Sequence, residues 1–282
     1  MKIAIVTDSN SGISPQEADS LGIFVVPMPF TIDGQLYFEN INLSAEEFFH
    51  LQQQGATITT SQPSPDAILS LWEQILESYD ALIHIPMSSG LSNSCSTATA
   101  LSQEFEGKVL VADLRRISAT QRMAVLDALK LIELGLSASE IVQKLEENSM
   151  NSSIYITPST LQYLKKGGRI TPAAAAIGTV LNIKPVLQIQ GGKLDSFGKV
   201  RGMRQAADTM ITAVRCDLQN RFGNQNMTVQ VAYSGNPDLG KTWQNYVQEQ
   251  FPEYDVYCGA LGLSIACHTG AGAIGIGCTR VL

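Results

Sequence analysis

Three short apolar runs in the first third of the chain each break off into a loop crowded with hydroxyl groups. Ile3-Ala4-Ile5-Val6 enters Thr7-Asp8-Ser9, and Ala56-Thr57-Ile58-Thr59 enters Thr60-Ser61-Gln62-Pro63-Ser64. Ala81-Leu82-Ile83-His84-Ile85 enters Ser88-Ser89-Gly90-Leu91-Ser92. In an open parallel α/β sheet the carboxyl ends of the strands border the ligand crevice, so the three loops are predicted to converge on one site. Hydroxyls and loop amides suit an oxygen-rich anion such as a carboxylate or a phosphate. The loops hold no evident nucleophile–base pair. That points first to a protein that holds an acid, and second to one that reacts with it.

Around these runs the first half alternates strand and helix. Ser14-Pro15 and Ser64-Pro65 are helix starts with serine as N-cap and proline at the first helical position. Ser44-Ala45-Glu46-Glu47 opens another helix, and Ser137-Ala138-Ser139-Glu140 resembles a capping box for a helix over 139–147. Met28 to Phe38 reads as a hairpin turning at Asp33-Gly34. The pattern predicts a mostly parallel sheet flanked by helices over residues 1–150. Beyond Asn148–Ser152 the character changes to a mixed α+β half over residues 151–282. There the spacing predicts helices over 159–166, 172–181 and 203–221, strands around a Gly191-Gly192 turn, and a strand at Asp255-Val256-Tyr257. A glycine-rich end closes the chain.

With 282 residues, 44% apolar and 16% charged, the composition is that of a soluble globular protein. A net charge of −7 argues against nucleic acid as a partner. The average hides an asymmetry. From Leu161 to Arg204 there are eight bases, including Lys165, Lys166, Arg169, Arg201 and Arg204, and one acid, Asp195. That segment is therefore +7 and the remainder −14, which suits an anion there: a phosphate, an acidic partner or a lipid surface. Five cysteines without a C-x-x-C read as free buried thiols in a reducing compartment. No export signal or membrane span is visible, so a cytoplasmic location is expected.

Several motifs carry less than their pattern suggests. Gly270-Ala271-Gly272-Ala273-Ile274-Gly275 matches G-x-G-x-x-G, but it cannot open a βαβ unit with an acid some 20 residues later, so no dinucleotide is expected. Gly191-Gly192-Lys193 lacks the rest of a P-loop and reads as a hairpin turn. No metal-ligand spacing is present, and neither a metal nor a cofactor is expected. His50 shares a helix with Glu46 and Glu47 and reads as a surface residue, while His84 reads as a satisfied core residue. Only His268 is expected in a loop where it could reach a ligand. Asp8 is either a site residue or a turn residue bonding backbone amides. Lys165-Lys166-Gly167-Gly168-Arg169 suits a helix C-terminus, with Arg169 past the cap and free to point elsewhere.

Taken in order, these segments resemble the DegV family of bacterial fatty-acid-binding proteins. The resemblance runs nearly end to end. It rests on Val6-Thr7-Asp8-Ser9, Thr60-Ser61-Gln62-Pro63-Ser64, Ser88-Ser89-Gly90-Leu91-Ser92, Leu161 to Ile170, Lys184-Pro185, Arg201-Gly202 and His268-Thr269-Gly270. It implies two α/β domains with a buried tunnel at their junction that takes one long-chain fatty acid such as palmitate. It places the carboxylate at Thr60 and Ser92 with His268 nearby, and makes Ser61, Ser94, Asp8 and Thr269 further ligand-loop residues. It also implies a partner, an ATP-dependent fatty acid kinase of the dihydroxyacetone-kinase type that makes an acyl phosphate. The protein itself would be a non-catalytic lipid carrier in phospholipid metabolism, with transient contact to a membrane surface. Lys165, Lys166, Arg169, Arg201 and Arg204 would then serve the partner or a phosphate. The sequence departs from the family pattern at Asn93-Ser94-Cys95 and Ala271, where other members carry Gly-Thr-Tyr and proline, and at Leu114 after Asp113. Two other readings stand beside the carrier: an acyl- or phosphoryl-transfer enzyme using Ser92 and His268, and a regulatory protein that responds to an acyl chain.

Overall fold

An apolar run without polar alternation can be buried only if both of its faces are covered, and the first strand shows this. The computed structural model describes residues 1–176, 183–223 and 225–282. In its first half the chain forms β1 (Ile3–Asp8), β2 (Phe24–Val26), β3 (Pro29–Ile32), β4 (Gln35–Phe38), β5 (Ile58–Thr60), β6 (Ala81–Ile85) and β7 (Val109–Val111). The second half adds β8 (Ser152–Thr157), β9 (Ile183–Ile189), β10 (Asp195–Arg201), β11 (Met227–Tyr233), β12 (Tyr257–Ala260) and β13 (Ile274–Arg280). All six residues of β1 are buried. Ile3 and Ile5 pack under the helices Ala119–Glu133 and Ala138–Glu147, while Ala4 and Val6 pack under Pro65–Leu76 and Ser94–Ser102. The period-two geometry of a strand separates these two layers.

The strands form three sheets. The first, in the order β2-β1-β6-β7, is parallel throughout. The second, β10-β9-β8-β13-β11-β12, is antiparallel except for the β11–β12 pair. The third, β4-β3-β5, is a small antiparallel sheet. The expected helix starts at Ser14, Ser44, Ser64 and Ser137 are all observed, each with its serine accepting an amide of the first turn. Asp33 and Gly34 turn the β3–β4 hairpin with φ of 50° and 86°, the two positive values that a tight primed turn demands. Gly191-Gly192 is the turn between β9 and β10.

Several expectations are corrected. Thr60 ends β5 and so belongs to the small antiparallel sheet, not to the parallel one. The convergence of its loop with the other two therefore comes from packing between sheets. The helix expected over 159–166 runs Gln162–Gly167, and Gly168 caps it in the left-handed conformation. The helix expected over 172–181 is described as Pro172–Ala175, and residues 177–182 lie outside the described residues. The helix expected over 203–221 is α-helical over Gly202–Cys216 and continues as a π turn over Asp217–Arg221. The last short strand begins at Tyr257 and not at Asp255. The largest difference is at the glycine-rich end, which holds the helix Leu263–Thr269 and the strand β13 between β8 and β11. Glycine lowers every local propensity signal for a strand, and pairing on both edges overrides it.

Along β13 the alternation has a purpose. Ile274, Ile276 and Cys278 pack with the helices Gly202–Cys216 and Pro237–Gln250 on one face of the second sheet. Gly275 and Gly277 lie between them, so the opposite face of this strand carries almost no side chain. The helix Leu263–Thr269 meanwhile packs Leu263, Ala266 and Cys267 against Phe30 and Phe48 of the first half. The two halves of the chain are thereby interleaved around the space between the sheets. All five cysteines are free; Cys95, Cys267 and Cys278 are buried as expected, whereas Cys258 is half-buried and Cys216 is exposed.

Candidate functional site

Two adjoining cavities occupy that space. The first is polar at its mouth and is lined by Asn10, Thr60, Ser61, Ser92, Arg169, His268 and Thr269, with Met28, Met87, Leu164 and Ser264 among its other walls. The second is apolar and is lined by isoleucines of β8, β9 and β13, by Ala232 and Leu261, and by Gly275 and Gly277. Leu91, Ile117, Leu194, Ile265 and Thr269 line both, so one wall serves the two chambers. Each leaves a cavity of ≈ 70 Å³.

The polar chamber centres on one contact. Thr60 Oγ1 and His268 Nε2 lie 3.0 Å apart, joining residues more than 200 positions distant in sequence. Burial, with a smaller contribution from the Arg169 charge, lowers the His268 pKa to about 4, so the imidazole is neutral at pH 7. A neutral imidazole with its proton on Nε2 donates to Thr60 Oγ1 and leaves the Thr60 hydroxyl proton for an anion. Ser92 Oγ accepts the Ser94 amide at 3.2 Å, which orients the Ser92 hydroxyl and leaves its own proton to donate. Arg169 supplies the positive charge of the chamber and is held by Nη1 donating to the Gly167 carbonyl at 2.5 Å. The Lys-Gly-Gly-Arg segment also fixes the histidine. A Cβ on Gly167 would lie 2.0 Å from His268 Nδ1, so only glycine lets the two elements close. A second close approach shuts the other side, where a Cβ on Gly90 would lie 2.8 Å from the Cα of Gly192.

Thr60, Arg169 and His268 also line an open outer groove, together with Lys166, Gly167 and Tyr163. The same three side chains therefore stand between a chamber lined mostly by buried residues and a groove lined largely by exposed and half-buried ones.

The expected site residues divide clearly. Thr60, Ser61, Ser92, Thr269 and His268 are brought together on the polar chamber, and Arg169 joins them. Asp8 does not line it. Its carboxylate accepts the Met87 amide at 2.7 Å, the Asn10 amide at 3.0 Å and Gln121 Nε2 at 3.3 Å, which is the turn-forming alternative. Burial raises the Asp8 pKa to about 6 against those bonds. Ser94 is buried beneath the loop without lining the chamber. Arg201 and Arg204 are exposed and line neither chamber. Arg204 pairs with Asp208 at 3.6 Å and lies over the Tyr246 ring. Lys165 and Lys166 are exposed on the helix leading to Gly167.

His268 lies in the last turn of a helix, not in a loop. That helix also brings Ser264, Ile265 and Thr269 to the site; Ser264 and Ile265 stand one turn before His268, and Thr269 one turn after Ile265. This spacing is the signal by which Ser264 and Ile265 could have been found. Asn10 accepts the Ser264 hydroxyl and is a further residue that sequence reasoning missed. His84 is buried and packs edge-on against Trp72 at 5.5 Å, but neither of its ring nitrogens has a partner. It is core, as expected, yet not satisfied, and burial lowers its pKa to about 3. His50 is exposed. The Ser92–His268 dyad of the enzyme reading is not drawn as a pair, since His268 Nε2 engages Thr60. Among the described residues no group of three His, Cys, Asp or Glu could hold a metal ion. No helix among them is long and apolar enough to cross a membrane.

Comparison with known proteins bears on this geometry. The family model for uncharacterised proteins of the DegV family matches residues 2–280. The chain belongs to the DegV family. A DegV domain-containing protein of Deinococcus radiodurans is 34% identical over 281 residues, covering 98% of each chain. Among solved structures, a DegV family protein from Thermus thermophilus, described for its fatty acid binding, superposes with a TM-score of 0.91 at 32% identity over 100% of both chains. DegV from Bacillus subtilis, described as a fatty acid binding protein, gives 0.86 at 28% identity over 99% of each. The architecture of parallel and mixed sheets is that of these DegV structures.

Proposed function

We propose that this DegV protein binds one long-chain fatty acid and presents its carboxylate to a partner fatty acid kinase for acyl-phosphate formation. The observation that carries the reading is the partition formed by Thr60, His268 and Arg169, polar toward an outer groove, in a chamber that shares five wall residues with an adjoining apolar one. A long amphiphile fits this division, with its carboxylate on the Thr60 and Ser92 hydroxyls and its tail against the isoleucines. The DegV relatives described as fatty acid binding share the whole fold, which supports the same ligand class. Lys166 and Arg169 on the groove suit the negative charge of a phosphoryl donor approaching from outside. The chain's own residues bind, orient and shield the acid, and the transfer chemistry belongs to the partner. Its working place would be the cytoplasm, with brief contact at a membrane surface where free fatty acid collects.

Two measurements test this. Denaturing extraction of the purified protein followed by mass spectrometry is expected to release about one long-chain acid per chain. Absence of acyl lipid together with no uptake of added palmitate would remove the ligand. Incubation with palmitate, ATP and a fatty acid kinase is expected to yield acyl phosphate only when the protein is present. Product made equally well without it would leave a binder with no presenting role.

A further inference from the structure

The polar chamber draws its donors from both halves of the chain. Ser92 lies on the loop after β6, in the first half, whereas Arg169 follows the helix Gln162–Gly167 in the second. The Ser92 loop is fixed by bonds within its own half. The Ser88 amide donates to the Arg116 carbonyl at 2.8 Å, the Ser89 amide to Asp113 Oδ1 at 3.4 Å, and the Gly90 amide to Ser88 Oγ at 3.2 Å. Arg169 is fixed within the second half by the β9–β10 hairpin. The Leu194 amide donates to the Arg169 carbonyl at 3.2 Å, and the Thr171 amide to the Leu194 carbonyl at 2.9 Å. The Thr171 hydroxyl donates to Asp195 Oδ1 at 2.6 Å.

These two frames meet at the Gly191-Gly192 turn. A Cβ on Gly90 would lie 2.8, 3.0 and 3.3 Å from the Cα, carbonyl carbon and carbonyl oxygen of Gly192. Carbon atoms rest about 3.5–4.0 Å apart, so a side chain at position 90 must push the turn away by on the order of 1 Å. Gly90 has no positive φ, so this contact, and not its own backbone, requires glycine. The requirement is one-sided, since a Cβ on Gly192 would meet nothing within 4 Å. The turn is also backed by Met150 and Arg115, whose Sδ and Cδ would lie 2.7 and 3.4 Å from a Cβ on Gly191. Beside the contact, Leu91 and Leu194 belong to one buried cluster and line both chambers. Gly90 thus stands two residues from Ser92, and Gly192 two residues from the amide that holds Arg169.

Resting on the acyl-binding reading above, we propose that the Gly90–Gly192 contact is a clasp that sets the Ser92 hydroxyl at the spacing from Arg169 that one carboxylate needs. Gly90 is then a positioning residue for head-group selection. Two backbones in direct contact leave no side-chain rotamer between them that could change this spacing. A binding constellation loses its productive geometry when its parts shift by more than about 0.5 Å, less than the displacement a side chain on Gly90 would force.

Displacement titrations of the delipidated full chain with palmitate and with hexadecanol, which has an equally long tail and no charge, test the proposal. The wild type is expected to prefer palmitate. Gly90→Ala is expected to cut that preference about tenfold, the worth of one charge-assisted hydrogen bond, and to bind the alcohol within about twofold of wild type. In a Ser92→Ala background, where the positioned group is gone, Gly90→Ala is expected to change palmitate binding by less than about twofold. Insertion of one glycine between Gly191 and Gly192 frees the turn without adding a side chain. It is expected to cut the preference in the same way and covers the case in which Gly90→Ala folds poorly. Gly198→Ala, on β10 where a Cβ meets nothing within 4 Å, is the control and is expected to keep the wild-type preference. Equal losses for palmitate and the alcohol would overturn the clasp and make the contact a matter of stability alone. An undiminished loss in the Ser92→Ala background, or an unchanged preference in both the alanine and the insertion variants, would also overturn it and leave the acyl reading intact. Wild-type protein that binds neither ligand would overturn both.

Discussion

The two chambers share five wall residues and differ in almost everything else. Around Thr60, Ser92, His268 and Arg169 the site is a small number of polar atoms held by long-range contacts, including two glycine approaches that admit no side chain. Around Ile154, Ile156 and Ile189 it is apolar bulk on a sheet face, with Gly275 and Gly277 leaving the room. The difference teaches a division of labour. Burying a roughly 16-carbon tail at about 0.8 kcal/mol per methylene gives on the order of 10 kcal/mol gross. A hydrogen bond to a charged head group nets only about 1.5–3 kcal/mol. On the proposed reading the apolar chamber would supply affinity and the polar chamber orientation.

The comparison is most exposed to a change in the apolar chamber. Ala232→Phe places a ring in that space and is expected to exclude about four methylenes of a long acid. That costs about 3 kcal/mol, or more than a hundredfold in affinity, while a short acid that ends before the ring binds as in wild type. Displacement titrations with a chain-length series read this directly. Equal losses for short and long acids would show that the tail does not lie there.

In the polar chamber the expected losses are smaller. Thr60→Val and Ser92→Ala should each weaken acyl binding by about 1–3 kcal/mol. Thr60→Val should cost more, because it also leaves His268 Nε2 without its partner. Ser92→Ala should unfold at the wild-type urea midpoint to within a small margin, whereas Thr60→Val should unfold at a lower one, since it strips His268 of its hydrogen bond. Affinity unchanged in both would move the carboxylate elsewhere.

The same contrast explains what could be read from the chain alone. Buried apolar runs announce themselves, so β1 and β6, the serine-capped helices and the Asp33-Gly34 hairpin were all legible. Thr60, Ser92 and His268 stood out as hydroxyl and imidazole groups in ordered short motifs. Their meeting point did not, because it depends on how three sheets pack, and β5 was not even in the expected sheet. The apolar chamber was the least legible part. Its floor is a strand, β13, whose inward positions are glycine, and its shared wall is a helix, Leu263–Thr269, short enough to resemble a loop. A residue that acts by being absent, such as Gly167 beneath His268, leaves no chemical signature until its neighbour is known.

Acid sharpens the comparison from the polar side. His268 has a folded pKa of about 4, below its unfolded value near 6.5, so folding favours the neutral ring. Its contribution is fully present above about pH 6.5 and is lost as pH falls from there toward 4. At pH 5 the loss is about 2 kcal/mol. His268→Gln removes this titration, so the stability difference between wild type and variant should shrink by about that amount between pH 8 and pH 5. The depressed His84 and the raised Asp8 and Asp127 are common to both proteins and cancel in the difference. Urea midpoints at the two pH values measure it, and a constant difference would mean that His268 is solvated and not held against Thr60.

The smallest effect is expected where sequence reasoning grouped residues that the structure separates. The basic segment was expected to act as one surface, yet Arg169 lines the polar chamber whereas Arg201 is exposed where β10 meets the following helix. Arg169→Gln should therefore weaken acyl binding severalfold, by removing the positive charge of the chamber. Arg201→Glu should change it by less than about twofold, as expected for an exposed charge screened by salt. If Arg201 faces the kinase, its reversal should still slow acyl-phosphate formation, and the wild-type rate should fall as ionic strength rises. Equal loss of acyl binding in the two variants would restore the single surface. Normal binding and normal phosphorylation after Arg201→Glu would leave that residue a solvated charge, with Arg169 and Lys166 linking the basic segment to the site.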